Sequence, residues 1–140
     1  MMSVPLAKST FMVTLLIIDP DPEFRKSLEW IHEKFGVKIL SASSLSEGTF
    51  LFKKCPVDLI VMDMFLPQKS GLSLIAEITS NDVHPPIIAT FSADQAPQIN
   101  IKKFAHMLGV SHTFEKPINA KLFHQAFLEL VPHMSERKDK

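Results

Sequence analysis

Six side chains in this sequence have the chemistry to handle a phosphoryl group: the carboxylates of Asp19, Asp21 and Asp63, the hydroxyls of Thr90 and Ser92, and the amine of Lys116. Each ends or directly follows a short apolar run. A carboxylate can attack phosphorus as a nucleophile and form an acyl phosphate. The attack brings an anion to an anion, so it needs positive charge nearby. A lysine ammonium supplies a compact point charge, and a Mg²⁺ held by one or two carboxylates and several waters would supply more. A hydroxyl at hydrogen-bond distance could register that the group has arrived.

These residues can act together only if the fold gathers them. Residues 13–18 are β-branched and apolar, as in a strand buried on both faces. Asp21 can then cap a helix with Pro22 at its first position and Glu23 in its first turn. Along that helix Phe24, Leu28, Ile31 and Phe35 share one face, and Gly36 stands at the usual place for a C-terminal cap. Residues 37–40 form a second strand, and Ser44 or Ser46 opens a helix through about Lys54. Residues 57–62 form a third strand and residues 70–80 a helix burying Leu72, Ile75 and Ile78 or Thr79. A fourth strand covers residues 87–91. A helix from about residue 99 to 108 ends at Gly109, and Thr113 with Phe114 makes a short fifth strand. Asn119 caps the last helix, whose apolar face is Leu122, Phe123, Ala126, Phe127 and Leu130, before Pro132.

Five βα units imply an α/β fold with a parallel sheet and helices on both faces. For a doubly wound (βα)5 chain the flavodoxin-like order 2-1-3-4-5 is the leading candidate, and its ligand crevice lies at the carboxyl ends of strands 1 and 3. That edge is where Asp19, Asp21 and Asp63 fall. The ends of strands 4 and 5 add Thr90 to Ser92 and Lys116.

Length and composition bound the answer from outside. At 140 residues the chain fits one domain, with residues 1–10 an N-terminal extension, 11–132 the folded unit, and 133–140 a charged tail or the start of a linker. Fifteen basic and fifteen acidic residues cancel, which argues against direct nucleic-acid binding. The single Cys55 excludes an internal disulfide or multi-cysteine zinc site and fits a cytoplasmic, reducing setting. The apolar run at residues 11–18 is too short to cross a bilayer, and it reads as a strand, not a membrane or signal segment. Histidines 32, 84, 106, 112, 124 and 133 show no metal-ligand spacing and read as solvated. Cys55 reads as a small filler or loop residue, and Trp30 and the phenylalanines as core or a partner-facing patch, core being the default.

Three stretches carry a resemblance to the receiver domains of two-component response regulators. They are Val57-Asp58-Leu59-Ile60-Val61-Met62-Asp63-Met64-Phe65-Leu66-Pro67 followed by Ser70-Gly71; Gly109-Val110-Ser111 followed by Phe114-Glu115-Lys116-Pro117; and Leu15-Leu16-Ile17-Ile18-Asp19. The first resembles the family's phosphoacceptor strand and loop, the second its lysine-proline signature, with a peptide bond that is typically cis, and the third its acid-tipped first strand. The resemblance implies that Asp63 accepts a phosphoryl group, that Lys116 binds it, and that Asp63, the Phe65 carbonyl and, at longer range, Asp19 hold Mg²⁺. It further implies a histidine kinase or phosphotransfer protein as donor and a downstream protein as target. Family members often dimerise through their last strands and helices, which leaves a homodimer open.

The chain departs from that pattern at three positions. The second acid of the family's pair, normally a direct metal ligand, falls on Pro20, so Mg²⁺ is expected to bind weakly. Asp21 could partly substitute, although its role as a helix cap is the stronger reading. Counting from Pro86, the switch hydroxyl falls on Phe91; a shift of one residue puts Ser92 there, with Thr90 the alternative. The switch aromatic falls on Thr113, which has no ring. Two other functions compete with a phosphoaccepting switch. One is a pseudo-receiver, an interaction module that works without phosphorylation. The other is a phosphatase of the haloacid-dehalogenase type, with Asp19 as nucleophile and Asp21 as acid–base. Glu23 stands where that motif has Thr or Val, and the later paired acids are missing. No Gly-rich loop follows the first strand, which argues against a nucleotide or flavin.

Overall fold

A computed structural model of the protein describes residues 13–66, 71–92, 94 and 100–131. The expected N-terminal extension, most of the stretch between the fourth strand and the helix before Gly109, and the C-terminal tail lie outside them.

Five strands run in parallel: β1 (Thr14–Ile18), β2 (Lys38–Ala42), β3 (Leu59–Asp63), β4 (Ile87–Phe91) and β5 (His112–Glu115). They pair in the order β2-β1-β3-β4-β5, the flavodoxin-like arrangement expected from the alternation of the sequence. Between them lie α1 (Pro22–Lys26), α2 (Trp30–Phe35), α3 (Leu45–Lys54), α4 (Leu72–Thr79) and α5 (Ile101–Met107), and α6 (Ala120–Leu130) follows β5. Every residue of β3 and β4 is buried, as two-faced coverage by helices demands.

The pleat divides the core in two. Leu16, Ile18, Ile60 and Met62 face one layer with Leu74, Ile75 and Ala105, whereas Leu15, Ile17, Leu59 and Val61 face the other with Ile31, Phe35, Phe123 and Phe127. Alternate residues of one strand thus serve opposite layers. Gly48 lets α3 approach β1 closely: a Cβ there would stand 2.5 Å from Ile18 Cδ1.

The single first helix expected between Asp21 and Gly36 is two. Ser27 closes α1, its Oγ donating to the Phe24 carbonyl at 2.6 Å, and the next backbone bonds, Leu28 to Arg25 and Glu29 to Lys26, span three residues. A side-chain hydroxyl bonded back into the turn competes with the helical ladder and tightens it. The apolar face survives the break, with Phe24, Leu28, Ile31 and Phe35 all buried. Gly36 ends α2 with φ of 74°, where a glycine is favoured. Ser44, Asn100 and Asn119 cap α3, α5 and α6 through side-chain oxygens.

His32 and His106 are exposed, as their spacing suggested, whereas His84, His112 and His124 are partly buried. His32 and His84 donate through Nδ1 to the carbonyls of Val37 and Pro85 at 2.9 and 2.8 Å. His112 reaches Glu129 at 2.9 Å, and His124 packs edge-on to Trp30 and Phe35 with its Nε2 buried. Sequence spacing cannot register the contacts of His112 and His124, because their partners come from other elements. Phe50 departs from the core reading: it is 58% exposed, with the Lys54 ammonium 5.7 Å from its ring centre.

Candidate functional site

The carboxyl ends of β1, β3 and β5 bring Asp19, Asp63 and Lys116 together, each for a local reason. Asp19 directly follows β1, and its N–H still donates to the Ala42 carbonyl at 3.0 Å. The chain then turns: the Asp21 N–H donates to Asp19 Oδ1 at 2.9 Å. Asp21 caps α1 through a 2.9 Å bond from the Glu23 N–H. Asp63 ends β3 opposite Thr90, and its Oδ1 accepts the Phe65 N–H at 2.8 Å. Lys116 follows β5, its N–H donating to the Phe91 carbonyl at 2.8 Å, and the Lys116–Pro117 peptide bond is cis.

The Lys116 ammonium lies between the two acids, 2.6 Å from Asp19 Oδ2 and 3.0 Å from Asp63 Oδ2. Asp19 is 1% exposed and the Asp63 side chain 5%, while Lys116 keeps 17%. Burial dominates Asp19 and lifts its pKa above the ordinary 3.8, against the opposing pull of Lys116 and the Asp21 N–H. For Lys116 burial is again the largest single influence and acts downward. The hydrogen bonds and charges of Asp19 and Asp63 together outweigh it, and the pKa rises above 10.5. The ammonium therefore stays charged at neutral pH.

The hydroxyls divide. Thr90 is fully buried and its Oγ1 lies 3.5 Å from the Met62 carbonyl, inside the sheet. Ser92 stands one residue past β4 and lines a groove of about 670 Å³ together with Lys116, Asp21, Phe24 and Trp30. Phe91, which direct counting places at the switch position, is buried in the core layer of Met62 and Ala89. Thr113 pairs with Ala89 on the edge strand. Gly71 closes the far side, where a Cβ would lie 3.2 Å from the Asp63 carbonyl oxygen.

Two neighbours of the site are not among the candidate site residues of the sequence. Arg25 donates from Nη1 to the Asp19 carbonyl at 2.6 Å, and the Phe24 ring centre lies 4.6 Å from the Lys116 ammonium. Phe24 carried a core signal, because it belongs to the buried helix face. Arg25 had only its place one turn into the helix that follows Asp19.

A parallel five-stranded sheet with two buried acids and a lysine at its carboxyl edge defines the class, and sequence comparison gives the family. The model of the response regulator receiver domain matches residues 15–128, and the chain belongs to that family. It is 30% identical over 116 residues to the two-component response regulator ARR22 of Arabidopsis thaliana, covering 80% of each chain. It is 26% identical over 125 residues to the transcriptional regulatory protein GlrR of Escherichia coli, but spans only 28% of that longer protein. Among solved structures, a receiver domain from a Colwellia psychrerythraea DNA-binding response regulator superposes with a TM-score of 0.77 at 24% identity, covering 86% of this chain and 99% of that one. The receiver domain of yeast Ssk1, solved with the histidine phosphotransfer protein Ypd1, gives 0.72 at 19% identity over 85% of this chain and 88% of that one.

Receiver domains typically bind Mg²⁺, and the donors here do not fit a firmly held divalent ion. Among the described residues no group of three or more His, Cys, Asp or Glu side chains is placed to hold a metal. Pro20 has neither a carboxylate nor an N–H, the Asp21 carboxylate is engaged in capping α1, and Asp19 and Asp63 both face the Lys116 ammonium.

Proposed function

We propose that this receiver domain is a phosphoaccepting signalling switch, with Asp63 as acceptor and a partner histidine kinase or phosphotransfer protein as donor. The observation that carries the reading is the buried Asp63 carboxylate with the Lys116 ammonium 3.0 Å from its Oδ2. A carboxylate oxygen of Asp63 attacks phosphorus, the bond from phosphorus to the donor imidazole breaks, and an acyl phosphate forms. Lys116 balances the charge of the incoming oxygens, and the Ser92 hydroxyl, better exposed to the groove than Thr90, donates a hydrogen bond to a phosphoryl oxygen. Any Mg²⁺ would rest on Asp19, Asp63 and the Phe65 carbonyl, a set that holds it weakly. The signal passes through protein–protein contacts, in the cytoplasm, without enzymatic turnover of a separate substrate. Residues 1–10 stand as an extension to this unit, and residues 133–140 as a charged tail or the start of a linker.

Incubation with phosphoramidate in excess Mg²⁺, followed by intact-mass measurement, tests the assignment. The expected result is one added phosphoryl group, lost in Asp63→Asn. An unmodified wild-type chain overturns it. A second reading, an interaction module that works unphosphorylated, is favoured by Pro20 and by Thr113, whose missing ring removes the usual aromatic relay. It predicts that partner binding is unchanged by Asp63→Asn.

A further inference from the structure

Around Asp19 every acceptor is already engaged. Its Oδ2 takes the Lys116 ammonium at 2.6 Å, its Oδ1 the Asp21 N–H at 2.9 Å, and its carbonyl the Arg25 guanidinium at 2.6 Å. Asp63 is held less closely by the same lysine, at 3.0 Å, and its other oxygen accepts the Phe65 N–H. The Phe24 ring, 4.6 Å from the ammonium, offers a π-face to the same charge. The lysine is therefore seated by a carboxylate whose other oxygen is held by the Asp21 N–H, on a residue whose backbone carbonyl is held by Arg25.

The charge balance points the same way. With an acid after Asp19, three carboxylates and one ammonium would leave two negative charges, which a divalent ion neutralises. With Pro20 in that place, two carboxylates and one ammonium leave a single negative charge. Mg²⁺ dehydrates reluctantly and must gain oxygen ligands in return. Here it would have to displace a seated ammonium from two buried acids, and the next acid, Asp21, is engaged in capping α1.

We propose that Lys116, anchored by Asp19, is the resident cation of this crevice and fills the place that a divalent metal takes where an acid follows the first. This deepens the receiver reading, since it names the counter-charge of the same site. Asp19 thereby acts first as a positioning residue for Lys116, and only at longer range on any metal.

Titration with Mg²⁺ alone, followed by amide chemical shifts of Asp63, Phe65 and Lys116, tests the proposal in wild type, Pro20→Asp and Lys116→Met. The wild-type chain is expected to show no saturable shift in the millimolar range. Restoring the third carboxylate in Pro20→Asp, or removing the ammonium in Lys116→Met, should strengthen the response at least about tenfold, since ligand charge count sets affinity. A gain in either variant supports the proposal, and the spectrum itself reports whether each is folded. Saturable wild-type binding within about threefold of Pro20→Asp overturns it, because the added charge would then be immaterial. Silence in both variants also overturns it, because neither the missing acid nor the ammonium would then govern metal access. No phosphodonor is present, so this result stands apart from whether Asp63 is phosphorylated: modification of a chain that binds Mg²⁺ well sinks only the resident-cation proposal.

Discussion

Asp19 holds its charge at a cost, because its carboxylate is 1% exposed and burial is the dominant influence on it. Its pKa is raised, so the folded chain binds that proton more readily than the unfolded chain does. Stability from this group therefore falls as pH rises through the window between the ordinary 3.8 and the raised value. Asp19→Asn, which mimics the neutral form, should raise the urea midpoint at neutral pH. The gain should shrink as the buffer is taken down toward the ordinary carboxylate range, where wild-type Asp19 takes up its proton. A gain that grows on acidification would contradict this. Lys116 behaves oppositely: its contribution is complete below 10.5 and is lost as pH climbs through its raised value. Lys116→Met leaves two buried carboxylates facing each other and should destabilise the chain by about 3 kcal/mol, the low end for breaking a buried pair because the lysine keeps some exposure. Urea titration at neutral pH measures it. At this scale Asp63 and Lys116 were legible because their types stand in extended motifs. The Asp19–Lys116 contact joins residues 97 apart and was not.

Gly48 tests how closely two elements approach. Alanine would favour α3 by about 1 kcal/mol of helix propensity, but its methyl would meet the Ile18 side chain at 2.5 and 2.8 Å. Overpacking against a buried strand costs about 1–3 kcal/mol, so the steric effect wins and Gly48→Ala should lower the thermal midpoint. Asn119 tests a helix end: its side chain accepts the Leu122 N–H at 3.0 Å, and Asn119→Ala should cost about 1 kcal/mol in denaturant titration. Both caps around the crevice, Asp21 and Asn119, were readable because capping chemistry is local. The break between α1 and α2 was not, because Ser27 in a helical pattern does not announce that its hydroxyl will bond backward.

Across the whole molecule, Phe123 joins the site to one layer of the core. It is fully buried, its ring centre lies 6.4 Å from Trp30 and 5.8 Å from Phe114, and it lines the groove that holds Lys116. Phe123→Ala should destabilise the fold by about 3–5 kcal/mol and shift the emission of Trp30, the sole tryptophan. An unchanged spectrum and midpoint would mean that α6 is not held through this ring.

Local chemistry determined much of this protein before any tertiary contact was known. Apolar runs of strand length alternating with amphipathic stretches, punctuated by Pro, Gly and capping residues, dictated five βα units, and a parallel sheet of that kind puts its crevice at the carboxyl ends of β1 and β3. Those are properties of near neighbours, so the chain carries them openly. What the tertiary structure alone decided is how the charges are shared. Whether Lys116 faces Asp19 or Asp63, whether Arg25 reaches a backbone carbonyl, and whether Thr90 or Ser92 opens to the groove depend on distances of a few tenths of an ångström between strands far apart in sequence. Electrostatic and hydrogen-bond energies change steeply over such distances in a buried site, and no pattern of residue types encodes them.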